Sequence, residues 1–173
     1  SIYPAHECLL TETQMRDGIR RLREEEKTTA ARLREEGKTE EAFRLKSAVD
    51  ALTEELQELG SSAKLDGYLS YFTEHTVSLL DYFDRNKTIV ALDEPARIAE
   101  QSAAVETEYI DSMQQRLEKG YILPGQMHAL YRAKEIFAKT GRLHTIALAT
   151  LELKLPELTP ARIYPFQTRT VNP

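Results

Sequence analysis

The 173 residues suit one domain, and a hydrophobic share of 41% against 29% charged supplies a real core without disulfides or structural metal. A formal net charge of -5 excludes an enveloping positive field, so strong binding of free nucleic acid through bulk attraction to phosphate is not expected, although local basic patches remain open. The lone cysteine, Cys8, forbids an intrachain disulfide and suits a reducing compartment, and no apolar run approaches the length of a signal core or membrane span; a cytoplasmic protein is expected.

Ile2-Tyr3-Pro4 reads as a short extended lead-in. His6 and Cys8 follow beside Leu9-Leu10, where a buried thiol is expected; two candidate ligands do not make a zinc site. Thr11 and Gln14 have capping-box spacing, which predicts a helix with Ile19, Leu22, Ala30 and Leu33 on its apolar edge, stopped by Gly37 as a left-handed cap. Thr39 is expected to cap a second helix, whose stripe of Ala42, Leu45, Val49, Leu52, Leu56 and Leu59 ends at Gly60. The pair predicts an αα-hairpin over residues 11–60.

The aromatic stretch with Tyr68, Tyr71, Phe72, Tyr82 and Phe83 predicts short helices packed under a sheet. Thr88-Ile89-Val90-Ala91-Leu92 is apolar on both faces, which predicts a buried strand that must stop before Pro95. A helix is expected from about Ala96 to Leu117, anchored by Ile98, Val105, Tyr109, Met113 and Leu117 and ended by Gly120. After a turn at Leu123-Pro124-Gly125, another amphipathic helix is expected from Gln126 to Lys139, with Gly141 as terminator, then a strand over Thr145-Ile146-Ala147-Leu148-Ala149. Together these give an α/β body over residues 65–155 with few strands, followed by an extended tail over 156–173 broken by Pro156, Pro160 and Pro165. The start at Ser1 without an initiating Met, and the stop at Val171-Asn172-Pro173, fit a piece of a longer protein.

The strand running into Asp93-Glu94 carries the sharpest chemical signal. In P-loop nucleotide hydrolases a carboxylate at this strand tip helps hold Mg²⁺ and a neighbouring Glu orients water. Acidic residues after strands are common, however, and capping of the next helix is the ordinary role for Glu94. The phosphate-binding partner is absent: Gly37-Lys38-Thr39 has the closing residues of a phosphate loop, but Arg32 stands where the upstream glycine belongs and no apolar strand precedes it. Arg20, Arg21 and Arg23 interleave with Glu24-Glu25-Glu26 and predict a solvated, salt-bridged face rather than a DNA patch. His75, His128 and His144 are too far apart for helix-face metal spacing, Ser78 and Asp81 have capping-box spacing, and no grouping of serine, histidine and acid suggests nucleophilic catalysis. No catalytic, cofactor or metal residue is expected.

Several landmarks in one order resemble the UvrB-homology module of the bacterial transcription-repair coupling factor, Mfd. They are Ile2-Tyr3-Pro4-Ala5-His6-Glu7, Arg34-Glu35-Glu36-Gly37-Lys38, Ser78-Leu79-Leu80-Asp81-Tyr82-Phe83, and Ile89-Val90-Ala91-Leu92-Asp93-Glu94-Pro95-Ala96-Arg97-Ile98, and the resemblance runs through nearly the whole chain. UvrB itself is similar over the hairpin and the Leu-Leu-Asp-Tyr-Phe stretch, but its acidic strand continues into Ser-His where this chain has Pro95-Ala96. The resemblance implies a single subdomain of a partial, degenerate RecA-like fold, with Asp93 and Glu94 as remnants of a Walker B motif and no ATP turnover by this chain. It implies a scaffold in a DNA repair protein whose ATP- and Mg-dependent translocase motor lies elsewhere, and which displaces stalled RNA polymerase, contacts double-stranded DNA and recruits nucleotide-excision repair through UvrA. The alternative is a subdomain of a UvrB-like ATPase in which the acidic motif works.

Overall fold

The computed structural model describes residues 10–151 and 155–166, so the expectations for Ile2-Tyr3-Pro4, His6 and Cys8 lie outside the described residues. Two compact units emerge, one from residues 1–78 and 103–131, the other from 79–102 and 132–173; the expected body of 65–155 is divided between them. The fold is mixed helical with one small parallel sheet.

In the first unit, α1 (Glu12–Glu35) starts as its sequence dictates. The Thr11 hydroxyl accepts the Gln14 N–H at 3.2 Å, and the Gln14 side chain accepts the Thr11 N–H at 3.0 Å. Its end is a full Schellman turn: Gly37 adopts φ 78, its N–H donates to the Arg34 carbonyl, and the Lys38 N–H reaches the Leu33 carbonyl at 2.8 Å. Helix α2 (Thr39–Leu59) begins without a side-chain cap, because Lys38 takes the capping position and Thr39 is already helical. Gly60, at φ 71, closes it.

The two helices pack as an antiparallel hairpin joined by that tight turn, and Leu22, Ala30, Leu33, Ala42, Leu45, Val49, Leu52 and Leu56 are buried in one core. Leu59 falls outside it and is exposed. The third wall of this core is a 3-10 turn (Leu65–Tyr68) and the single-turn α3 (Leu69–Phe72), which bring in Leu65, Tyr71 and Phe72. The expectation that these aromatics lie under a sheet is thus corrected: Tyr71 and Phe72 complete the hairpin core, while Tyr82 and Phe83, in or just after a 3-10 turn (Leu79–Tyr82) of the second unit, are exposed.

The 121–126 segment adds the buried Leu123 to the same core and is tied down by polar atoms. Gln126 accepts the Leu123 N–H at 2.8 Å and donates to the Gly67 carbonyl at 2.9 Å, while the Ser70 hydroxyl donates to the Gly125 carbonyl at 2.9 Å. The same use of Gln126 explains why one expected helix is two. A 3-10 turn (Pro124–His128) ends beside Ala129, and α5 (Ala133–Thr140) starts afresh where Glu135 accepts the Arg132 N–H at 3.0 Å.

In the second unit, β1 (Ile89–Asp93) pairs in parallel with β2 (His144–Leu148), in a register that sets Ile89 opposite His144 and Asp93 opposite Leu148. A parallel pair needs a crossover, supplied by the chain through α4 (Pro95–Glu118) and α5. The expected burial of β1 on both faces is not observed: Ile89 is 68% exposed, and Ile146 and Leu148 on β2 are 54% and 56% exposed. Among the described residues of this unit only Pro95, Phe137 and Leu158 are buried apolar side chains, too few to cover two strands. Of the anchors expected on α4, Ile98 and Val105 are exposed and Tyr109, Met113 and Leu117 half-buried.

Candidate functional site

The tip of β1 turns on one residue. After Asp93 the ladder gains one more bond, from the Glu94 N–H to the Leu148 carbonyl at 2.7 Å. The Glu94 backbone then swings to φ 49, the only non-glycine positive φ among the described residues, a conformation that L side chains adopt at a cost. From there its carbonyl accepts the Arg97 N–H at 2.9 Å and the Ile98 N–H at 3.2 Å, which begins α4 with Pro95 in its first turn.

The Glu94 side chain goes the other way. One oxygen, Oε1, accepts both the Thr150 N–H at 2.9 Å and the Thr150 hydroxyl. Those two bonds, the hydroxyl first, hold the Glu94 carboxyl below its ordinary value, with Arg97 adding a smaller push. Asp93 is exposed at the last position of the strand. The structure therefore places Asp93 and Glu94 side by side in sequence with different duties: Asp93 faces solvent, and Glu94 ties the ends of two strands to the start of a helix. Thr150 was missed in the sequence. Its signal was available, since two parallel strands ending at Asp93 and Leu148 must bring the residues just beyond them together.

The Gly37-Lys38-Thr39 triplet is a stop between two antiparallel helices, and the N–H groups of Gly37 and Lys38 are spent on the carbonyls of Arg34 and Leu33. No strand leads into it. The basic run of α1 is paired much as its sequence suggests, with one difference. Arg20 bridges Glu24 at 3.0 Å within the helix, but Arg23 reaches across the hairpin to Asp50, which Lys46 also holds at 2.6 Å. Glu25 and Glu26 do not belong to a solvated face: Glu26 is buried, and Glu25 accepts the Tyr71 hydroxyl and, at 3.1 Å, the Gly125 N–H. Burial, and then Glu25 itself, push the Tyr71 hydroxyl well above its usual range. In the second unit Lys139 pairs with Asp81. Among the described residues, no group of three or more His, Cys, Asp or Glu side chains could hold a metal, and no helix is long and apolar enough to cross a membrane.

Curated relatives place this arrangement. The UvrABC system protein B of Kosmotoga olearia is 35% identical over 98 residues, covering 54% of this chain and 15% of that protein. That of Thermotoga neapolitana is 31% identical over 128 residues, covering 71% and 19%, and that of Thermotoga petrophila 29% over 148 residues, covering 82% and 22%. The chain is UvrB-like. The matched share of these relatives is 15–22% of their length, so this UvrB-like chain spans about a fifth of such a protein. No protein-family profile matches it. The likeness does not single out the coupling-factor family among UvrB-like proteins, because these relatives carry the UvrB name.

Proposed function

We propose that this UvrB-like chain is a non-catalytic scaffold module of a transcription-coupled DNA repair factor, one that displaces stalled RNA polymerase and recruits nucleotide-excision repair proteins through UvrA. The observation that carries this reading is the strand tip: Glu94, which would orient water in a working helicase motif, gives one carboxylate oxygen to both donors of Thr150 and its backbone carbonyl to the start of α4. The continuation into Pro95-Ala96 and the helix stop at Gly37-Lys38-Thr39 support it. So do the uncovered apolar side chains of β1 and β2, since a scaffold needs surfaces that neighbouring domains of its parent can cover. On this reading the parent is a cytoplasmic DNA-dependent translocase, and its ATP and Mg²⁺ belong to a motor outside this chain.

A second reading is favoured by the names of the relatives: a subdomain of an excision-repair UvrB-like ATPase, in which the tip of β1 supplies the acidic motif. ATP hydrolysis by the parent protein with Asp93→Ala separates the two. The scaffold reading expects kcat/KM within about twofold of the unaltered protein. A magnesium-holding carboxylate accounts for several kcal/mol of transition-state stabilisation, so a loss on the order of a hundredfold or more refutes the scaffold.

A further inference from the structure

We propose that Glu94 and Thr150 form a latch that holds the carboxyl-side tips of β1 and β2 closed over the start of α4. Three bonded groups of one residue converge there. The Glu94 N–H is held by Leu148 at the end of β2, its carbonyl receives the N–H groups of Arg97 and Ile98 in the first turn of α4, and one oxygen of its carboxylate receives both donors of Thr150. Its backbone stands at φ 49, a conformation that L side chains adopt at a cost and that persists where surrounding bonds over-determine it. Thr150 has the converse position: it is exposed, precedes a nearly bare Leu151, and is tied to β1 through this carboxylate. Apolar cover at the tip is one-sided: Pro95 at the start of α4 is buried, whereas Leu148 at the end of β2 is 56% exposed.

The latch thus has two states. Closed, one carboxylate oxygen of Glu94 holds both donors of Thr150; open, that oxygen is released and residues 149–151 can move away from β1. Glu94 is a positioning residue in this device, and the inference stands beside the scaffold reading without needing it, because the two bonds of Thr150 to one Glu94 oxygen are the same under either reading.

Amide hydrogen exchange at Thr150 in the full chain reads the latch directly. Glu94→Ala removes the acceptor and should speed Thr150 exchange on the order of five- to tenfold, the loss of a charge-assisted bond at an exposed site. Glu94→Gln keeps a carbonyl oxygen in the same place and should restore most of the protection. The Val49 amide in the hairpin core serves as the control for global loosening. Unchanged Thr150 exchange in Glu94→Ala, equal acceleration at Val49, or a Gln variant indistinguishable from Ala each overturns the latch. Since no nucleotide enters the measurement, its failure is distinct from failure of the functional reading.

Discussion

Replacing Gly18 with alanine should destabilise the hairpin, although the same change in an ordinary helix interior stabilises. Gly18 lies in α1, buried, and a Cβ built on it would overlap the Phe72 ring at Cδ1, Cε1 and Cγ. Alanine gains about 1 kcal/mol over glycine in helix propensity. Overpacking a well-filled core costs about 1–3 kcal/mol, and the upper half applies here because Phe72 is 1% exposed and walled in by Leu22, Tyr71 and their neighbours. The net expectation is a loss of about 1–2 kcal/mol. The informative measurement is a double-mutant cycle by urea denaturation, followed by far-ultraviolet circular dichroism. With Phe72→Ala the ring is gone at a cost of about 3–5 kcal/mol, and Gly18→Ala should then stabilise by about 1 kcal/mol, filling part of the space. The sign must change between the two backgrounds. A stabilising Gly18→Ala in the native background, or the same effect in both, refutes the account of why a glycine sits in the middle of a buried helix face.

Tyr71→Phe should cost about 1–3 kcal/mol in the same assay, because it leaves the half-buried Glu25 carboxylate with the Gly125 N–H alone; a change below about 0.5 kcal/mol would mean that the pair is solvated. Acid sensitivity follows from Asp50, whose carboxyl lies below its usual 3.8 because Lys46 and then Arg23 bond to it. A lowered folded value means that its stabilisation is complete above the unfolded value and is lost as pH falls through the folded one, so urea midpoints should be flat with respect to Asp50 between pH 7 and about 5 and fall below about 4, a fall that Asp50→Asn should reduce. The two units should also differ in hydrogen exchange, since the hairpin core buries eight aliphatic side chains of α1 and α2 alone where the second unit buries Pro95, Phe137 and Leu158 among its described residues. Amides of β1 and β2 should exchange at least about a hundredfold faster than those of Leu45 and Leu52, and equal protection would contradict a local account of stability.

The hairpin was legible in the sequence because local signals decide it. Thr11, Gln14, Gly37 and Gly60 act within four residues of themselves, and the stripe from Ala42 to Leu56 needs only the 3.6-residue period to be read. What was not legible depends on partners far away in the chain. Gln126 reads as a helix residue until Gly67 and Leu123 claim its side chain, 59 and three positions away. Glu25 reads as one of three solvated acids until Tyr71 and Gly125 arrive from 46 and 100 positions away. Thr39 failed as a cap for a simpler reason: the Schellman turn at Gly37 sets Lys38, whose side chain cannot accept an N–H, at the capping position.

The strands pose the opposite problem, since their positions were read correctly and their surroundings were not. Ile89, Val90, Ala91 and Leu92 alternate no polar residue, a grammar that belongs to parallel strands covered on both faces. Yet among the described residues β1 pairs only with β2, and side chains on both strands stand open. At the tip the same economy decides chemistry. With so little apolar cover, polar bonds must end the strands, and Glu94 supplies them in three directions at once. The carboxylate oxygen that holds the strand ends together, Oε1, takes two donors from Thr150 and leaves only the second oxygen for any other partner. A working acidic motif would therefore have to use Asp93 and the second Glu94 oxygen while the first still holds the strand ends, and ATP hydrolysis by the parent protein with Asp93→Ala is the measurement that decides it.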